Sequence, residues 1–437
     1  MIWVIELLRI LDVDVGILRN AHGKNPLEKM TGTRQPPGLK RVLGLTLVVL
    51  YGLGVTIGAG IYVLIGATAG QAGIYAPVSF CIAALVMAPT AASFAELSTR
   101  MPVSAGEAAY VREGLNSRGL ALIVGLLVVT AGVVSAAAVA IGAAGYISVF
   151  IEAPDGLIIS LVVLAMGLAA AWGILESVFL AGVLTLIEIG GLAVIVVAGI
   201  GNDPSIVLRF GEVVPGSFDP LIWSGVFSAG LLAFFAFIGF EDLVNIAEEV
   251  KEPLKVLPWA IFLTLVLSTL IYVSVVSIAV LSVPLEGLAA SKAPLGYVYE
   301  RVTGGSSLVI SAIAVVATLN GIIVQMIMAS RVLYGLSAQG DLPGILSQIS
   351  PATRTPLIAT ALVAAIILVL SLAFPIEGLA EMTSRVTLTI FSLVNLALLR
   401  LKLREDAPPE DIFTVGLWVP VAGLSASLLL LAHDAIV

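Results

Sequence analysis

The chain has 437 residues and a formal net charge of −8. Hydrophobic residues make up 59% of it and charged residues only 11%, with a mean hydropathy of +1.12, whereas soluble domains carry roughly 25% charged residues. This composition excludes a soluble globular protein and indicates an integral membrane protein, and the acidic balance without a basic cluster argues against nucleic-acid binding.

The uncharged runs reach the roughly 20 residues that an α-helix needs to cross about 30 Å of hydrocarbon. They are continuously apolar and do not alternate, which argues against a β-barrel. The sequence therefore predicts an all-α integral membrane protein with about eleven transmembrane helices. Hydropathy and the glycine, proline and charge breaks place these spans near 42–65, 75–97, 120–150, 156–174, 177–200, 222–247, 257–282, 306–334, 356–374, 378–400 and 413–433.

The spans suggest three divisions of the chain. Residues 1–41 form an N-terminal segment, 42–401 a transport core, and 402–437 carry one extra transmembrane helix. Within the core, 42–200 and 222–401 are expected to be inverted repeats of five spans each.

The placement of basic residues predicts the orientation. Of the 21 lysines and arginines, 17 fall on the side of the N-terminus, three fall on the other side, and Arg385 lies within a span. By the positive-inside rule, the N-terminus is expected to be cytoplasmic, in a multi-pass protein of the plasma membrane.

The first span is unusually rich in glycine for a membrane helix. Its stretch GLGVTIGAGIYVLIG, residues 52–66, carries five glycines, and Gly54, Gly58 and Gly60 fall at its centre. Since glycine weakens a helix, we expect an interruption at Gly58–Gly60. The second half-helix would then begin with unsatisfied N–H groups at the positive end of its dipole, which suits a carboxylate.

The sixth span contains a matching interruption. It includes FFAFIGFEDLVNIAEEV over 234–250, with Gly239 followed closely by Glu241 and Asp242. A break near Phe235–Gly239 exposes carbonyl oxygens at the negative end of the first half-helix, which suits an ammonium group. Glycines in membrane helices commonly serve close packing. The coincidence of two breaks five spans apart favours a site for a zwitterionic amino acid at the bilayer midplane.

Three stretches resemble the amino acid–polyamine–organocation (APC) superfamily of transporters. GVTIGAGIYVLIG is similar to the family's first-helix motif, FFAFIGFEDLVNIAEEVKEPLKVLP to its sixth-helix motif, and ASRVLYGLSAQGDLPGILSQISPATRTP to the end of its eighth helix and the following loop. Weaker similarity covers roughly residues 40–430. The resemblance implies the five-plus-five inverted-repeat fold of the leucine transporter, with discontinuous helices 1 and 6. It also implies secondary transport or exchange of amino acids by alternating access.

The resemblance further implies where the substrate binds. The carboxylate is expected at Ile57, Gly58, Ala59 and Gly60. The amine is expected at the carbonyl groups of Phe235, Ala236, Phe237 and Ile238. Phe235 stands where family members often have an aromatic gate, and Glu241 matches an acidic position of the inner gate.

Glu188 lies alone in the centre of the fifth span, where a carboxylate is costly unless it is protonated, paired or facing a polar cavity. Many sodium-independent relatives have a lysine at what resembles this position, so the family mechanism does not transfer directly. We expect Glu188 to carry a proton that couples to transport. Two alternatives remain: a cation site, less favoured and for Na⁺, to which Asn320 contributes an oxygen, or a protonated structural residue.

Arg385 and Glu381 lie one helical turn apart in the tenth span. Arg385 is a candidate for the extracellular gate, and the alternative is a local ion pair that neutralises itself.

The third span contains no charged residue and is rich in alanine and glycine, which favours a neutral, small-to-medium amino acid as the substrate. The alternatives are a cationic amino acid or polyamine, and a membrane sensor that keeps the fold without transport. No nucleophile–base pair, phosphate-binding loop or metal-ligand spacing appears. Neither an enzyme nor a cofactor is predicted, and the expected partners are the substrate and the lipid bilayer.

Overall fold

The computed structural model describes residues 41–58, 60–102, 106–172, 178–404 and 412–436. Within these ranges the regular structure is helical, apart from one isolated β-bridge between Leu43 and Val250. The predicted all-α class is confirmed. The predicted N-terminal segment 1–41 lies outside the described residues except for Arg41.

Fifteen α-helices follow one another along the described ranges. They are α1 Leu45–Ile57, α2 Gly60–Ala72, α3 Ala76–Arg100, α4 Gly106–Leu115, α5 Arg118–Ile147, α6 Asp155–Trp172, α7 Val178–Asn202, α8 Pro220–Phe237, α9 Pro253–Ser282, α10 Leu285–Ala290, α11 Pro294–Thr303, α12 Leu308–Ala338, α13 Leu357–Ala373, α14 Ile376–Arg404 and α15 Trp418–Ile436. Between them lie 3₁₀ segments at Gly73–Tyr75, Pro204–Val213, Phe240–Glu249 and Gly344–Ser347.

Most of these helices have the length and composition of membrane spans. Among the described residues, eight helical stretches are long and apolar enough to cross a bilayer, and α1, α13 and α15 are shorter apolar helices. The protein is therefore a multi-pass membrane protein. The number of eleven crossings stays a prediction, as do the proposed domain boundaries.

Helix α5 occupies the middle of the assembly because its small residues let neighbouring helices approach closely. Gly132 faces the side chains of Gln325 and Met328 on α12, and Gly142 faces Val63 on α2. A β-carbon at either glycine would lie within 3 Å of these side chains. The alanine- and glycine-rich third span is thus the helix around which the core packs.

A buried polar cluster joins α3, α14 and α15. The Asn395 side chain of α14 donates to Thr90 Oγ1 at 2.8 Å and accepts from Ser93 Oγ at 2.7 Å. Gly423 of α15 packs directly on this amide, since a β-carbon there would lie 2.5 Å from Asn395 Oδ1. These contacts position the last helix against the core.

Candidate functional site

The first membrane helix is interrupted where its glycines predict. Helix α1 ends at Ile57 and α2 begins at Gly60. The N–H group of Gly58 still donates to the carbonyl oxygen of Gly54 at 3.2 Å, so the interruption is short. Ala59 lies outside the described residues.

The second interruption is wider. Helix α8 ends at Phe237, Ile238 has an extended ψ of 131°, and the chain continues from Gly239 into the 3₁₀ segment Phe240–Glu249. Gly239 has a φ of +127°, which side-chain-bearing residues rarely adopt. Its N–H group donates to Glu241 Oε2 at 2.8 Å, so the Glu241 carboxylate caps the new segment.

The two interruptions meet at one tyrosine. Tyr272 of α9 is fully buried, and its hydroxyl lies 2.7 Å from the carbonyl oxygens of both Thr56 and Ala236. Gly60 packs on the backbone of Ala236, where a β-carbon at Gly60 would lie 2.5 Å from the Ala236 α-carbon. The broken ends of helices 1 and 6 therefore lie side by side, tied together by α9.

Tyr272 is not among the site residues that the sequence motifs predict. A tyrosine in the middle of an apolar span is nevertheless a signal, since a buried tyrosine hydroxyl normally has a hydrogen-bond partner. Which carbonyl groups it would reach depends on how α9 packs, and the periodicity of one span does not reveal that packing.

A cavity of about 30 Å³, which we call the central cavity, lies between the interruptions, α5 and α12. Its lining residues are Gly54, Val55, Thr56, Gly60, Ser135, Val139, Phe235, Ile238, Asn320, Gly321, Val324 and Gln325. Four of the predicted site residues are among them: Gly60, Phe235, Ile238 and Asn320.

Four other predicted binding residues that the structure describes, Ile57, Gly58, Ala236 and Phe237, do not line the central cavity. The Ile57 side chain is fully buried and Gly58 is also buried. The Ala236 carbonyl group is within hydrogen-bond distance of Tyr272. The Phe237 ring packs on Phe80 and Tyr272, with centroids at 6.3 and 4.9 Å. Phe237 therefore has a packing role on the far side of α8.

Glu188 of α7 lies beside the interruption of helix 1. A β-carbon at Gly58 would lie 3.9 Å from Glu188 Oε2. The Glu188 side chain is fully buried, and in the described part of the chain neither carboxyl oxygen has a hydrogen-bond partner. Asn320 is a neighbouring polar side chain, but no hydrogen bond of good geometry joins the two groups.

The backbone of Glu188 is fixed from the opposite side. Tyr62 of α2 donates its hydroxyl proton to the Glu188 carbonyl oxygen at 2.6 Å. Tyr146 of α5 donates in turn to the Tyr62 carbonyl oxygen at 2.6 Å and accepts from the Leu295 N–H group at 3.3 Å. These tyrosines connect α7 to the second half of helix 1 and to α11.

A second cavity of about 30 Å³, which we call the inner cavity, lies beyond the Gly239 interruption. Three buried carboxyl groups line it, from Glu107, Glu241 and Asp242. Burial raises the pKa of Glu107 from 4.5 to about 7, with a further increase from the Asp242 charge that the hydrogen bond to its own backbone N–H opposes. Of the predicted gate residues, Phe235 lines the central cavity and Glu241 the inner one.

Arg385 lines neither cavity. Its side chain is 47% exposed and lies 3.3 Å from Glu381 Oε2, one turn earlier on α14. This placement matches the local ion pair that was the alternative to an outer gate.

Comparison with known proteins shows the family to which the chain is similar. The sequence profile of the amino acid permease family matches residues 42–434. The branched-chain amino acid permease BcaP of Bacillus subtilis is 30% identical over 421 residues, covering 91% of this chain and 88% of that protein. The vacuolar cationic amino acid transporter 2 of Arabidopsis thaliana is 29% identical, covering 91% of this chain and 65% of that protein.

A solved structure shows the fold. The crystal structure of MhsT in complex with L-phenylalanine superposes with a TM-score of 0.60 at 12% identity, over 91% of this chain and 99% of that one. The leucine-transporter-type fold implied by the sequence motifs is confirmed, including the discontinuous helices 1 and 6.

Proposed function

Because the chain belongs to the amino acid permease family, we propose that it is a secondary transporter that moves amino acids across a membrane by alternating access. The broken helices that meet at Tyr272 carry this proposal. They support a substrate site in which the N–H end of α2 binds the carboxylate and the carbonyl end of α8 binds the ammonium group. The distribution of lysine and arginine supports a cytoplasmic N-terminus in the plasma membrane.

A neutral amino acid is the substrate class that the central cavity favours. Among the described residues that line it, the side chains are apolar or uncharged, with Val139, Phe235, Ile238 and Val324 giving apolar surface. A charged substrate side chain would lose its hydration there without a counter-ion, which is costly. The Bacillus relative is named as a branched-chain amino acid permease. Branched-chain amino acids are neutral, which agrees with this assignment.

A cationic amino acid is the second candidate. The name of the Arabidopsis relative gives cationic amino acids as its substrates. In this chain the acidic groups of Glu107, Glu241 and Asp242 lie in the inner cavity and not in the central one. They would attract a cationic substrate to the pathway without contacting it in the central cavity.

Proton coupling through Glu188 completes the proposal. A fully buried carboxyl group without hydrogen-bond partners is more stable in its neutral form. Movement of helix 1 away from α7 would admit water to this carboxyl, which would then lose its proton. Protonation of Glu188 would therefore be linked to the position of helix 1, and helix 1 also carries the substrate carboxylate.

Uptake into proteoliposomes tests the function. The purified protein is reconstituted and assayed for counterflow with labelled leucine, valine, alanine, phenylalanine, arginine and lysine. We expect saturable exchange with one or more neutral amino acids. Exchange with arginine or lysine alone would overturn the neutral assignment, and no exchange with any of a full panel of amino acids would overturn the transport function.

A further inference from the structure

The inner cavity is lined by acidic side chains that have no role in the proposed transport function. Its polar lining comes from Glu107 on α4, Ser135 on α5, Glu241 and Asp242 in the 3₁₀ segment, Gln325 on α12 and Thr387 on α14. It adjoins the central cavity because Ser135, Ile238 and Gln325 line both.

The three carboxyl groups of the inner cavity lack a positive partner. Glu107, Glu241 and Asp242 are 6%, 8% and 9% exposed. In the described ranges of the chain, no lysine or arginine forms an ion pair with any of them. Buried carboxylates close to one another are unfavourable unless they bind protons or a cation.

A separate observation points to a ligand. Thr387 is 2% exposed, lines the inner cavity, and has no hydrogen-bond partner for its hydroxyl group in the described part of the chain. Neighbouring hydroxyl groups on the same helix are all satisfied by the carbonyl group four residues earlier, at 2.8 to 3.0 Å. These are Thr383, Ser384, Thr389 and Ser392. The Thr387 oxygen is therefore free to accept or coordinate a group in the cavity.

The size of the cavity limits what that group is. A volume of about 30 Å³ holds one or two groups the size of a water molecule, since each needs roughly 10–15 Å³. A single ammonium group or alkali ion fits this volume.

We propose that the inner cavity is a second binding site, which takes one monovalent cation of ammonium size between the carboxyl groups of Glu107 and Asp242 and the hydroxyl group of Thr387. The cation is either the ammonium group of an amino acid that leaves the central cavity or a free alkali ion. The first source rests on the proposed transport function, and the second does not. Glu241 is not assigned as a ligand, because one of its oxygens already accepts from the Gly239 N–H group.

Thermal unfolding of the full-length protein in detergent tests the site. Choline chloride is replaced at constant ionic strength by methylammonium, sodium or potassium chloride. We expect at least one small cation to raise the melting temperature above that in choline, which is too large for the cavity. In Thr387→Val and Asp242→Asn, we expect an apparent affinity for that cation about tenfold weaker, as for loss of a contact to a charged group.

Thr389→Val is the matched control, because this threonine lies on the same helix but its hydroxyl bonds to the Arg385 carbonyl group and does not line the cavity. Stabilisation by methylammonium alone assigns the site to the substrate amine, and stabilisation by alkali ions alone assigns it to a free cation. No stabilisation by any small cation, or equal stabilisation of the wild type and Thr387→Val, overturns the site.

Amino acid counterflow of the same preparations separates this proposal from the transport function. Counterflow without a cation effect overturns only the inner site. A cation effect without counterflow overturns only the transport function.

Discussion

Glu188 is the residue on which the proposed proton coupling depends. Its carboxyl group lies against the interruption of helix 1, fully buried and without hydrogen-bond partners among the described residues, and this burial favours its neutral form. A glutamine at this position has nearly the same shape but carries no titratable proton. The substitution therefore separates packing from protonation.

For Glu188→Gln we expect uptake driven by an inward proton gradient to fall to the level without a gradient, whereas counterflow at equal pH persists in part. Labelled-substrate uptake into proteoliposomes with and without a pH difference measures both. Glu212→Gln is the control, because that carboxylate is exposed beside Arg209 in a loop between helices. An unchanged response to the pH gradient would remove Glu188 from the coupling mechanism.

Tyr272 contributes to the site through its hydroxyl group. Removal of this group takes its single proton away from the two buried carbonyl oxygens that share it, of Thr56 and Ala236, which costs about 1–3 kcal/mol. For Tyr272→Phe we expect a lower melting temperature and an apparent affinity for the amino acid reduced about tenfold, because the interruptions are less firmly held. Thermal unfolding and counterflow kinetics measure these effects. Tyr299→Phe on α11 is the control, and equal affinities in the two variants would contradict the role of Tyr272.

At the scale of elements, α4 and the 3₁₀ segment Phe240–Glu249 form one buried contact. The backbone at Gly106 has a φ of +45° and lies so close to Asn245 that a β-carbon would be 2.8 Å from its Oδ1. Glu107 is the next residue and faces the carboxyl groups of Glu241 and Asp242 across the inner cavity. Protonation of Glu107 therefore affects how tightly these elements pack.

Since burial raises the pKa of Glu107 from 4.5 to about 7, the folded protein binds more protons than the unfolded chain between these values. The contribution of this group to the free energy of unfolding accordingly falls as the pH rises through that window and is constant above it. For Glu107→Gln we expect a smaller decrease in melting temperature from about pH 5 to about pH 8 than in the wild type. Because the charge of Glu107 also acts on Glu241, and that of Asp242 on Glu107, the difference between the two proteins measures the coupled titration of this acidic group.

Glu113→Gln is the control for this series, because Glu113 is exposed on the same helix. The same pH profile for Glu107→Gln and the wild type would show that Glu107 titrates as an ordinary carboxyl group.

The interruptions of helices 1 and 6 were predictable, because glycine has a local effect on helix stability that the sequence records directly. The form of the second half of helix 6 was not. The sequence predicts a sixth span near 222–247 with a break near Phe235–Gly239, but it does not predict that the chain after the break forms a 3₁₀ segment over Phe240–Glu249. Its course depends on tertiary contacts such as those of Gly239 with Val55 and of Gly106 with Asn245, which the sequence does not record.

Individual site residues divide in the same way. Sequence motifs predict three residues that line the central cavity, Gly60, Phe235 and Ile238. Asn320, which also lines it, is predicted because it is a polar residue in an apolar span. Tyr272 was missed because its role depends on distant carbonyl groups. Thr387 was missed for a similar reason. Its buried hydroxyl group lacks a hydrogen-bond partner in the described chain, and the sequence does not show this.

At the scale of the whole molecule, ligand binding is expected to stabilise the fold. A ligand that binds only the folded state raises its stability by about 2.7 kcal/mol at 100 times its dissociation constant. We expect the melting temperature of the purified protein to increase more with a neutral amino acid than with arginine or lysine at equal concentration. A larger increase with arginine or lysine would favour the cationic alternative.

The C-terminal helix is attached to this molecule by more than apolar packing. Glu96 of α3 is fully buried and pairs with Lys402 at 2.8 Å and with Arg100 at 2.7 Å, and it accepts from the Val415 N–H group at 2.7 Å. The chain before α15 is therefore bound to the end of α3. The extra helix is a fixed part of the core structure in the described ranges.

The partition between the two cavities includes three residues that line both of them, Ser135, Ile238 and Gln325. Side-chain rotations take picoseconds to nanoseconds, whereas collective helix movements take microseconds to milliseconds. A solute that reaches this partition thus has a short and fast last step to the acidic compartment. Under the proposed alternating access, the turnover number would accordingly report the slow rocking of the helices, and enlarging or trimming the partition is expected to alter selectivity more than speed.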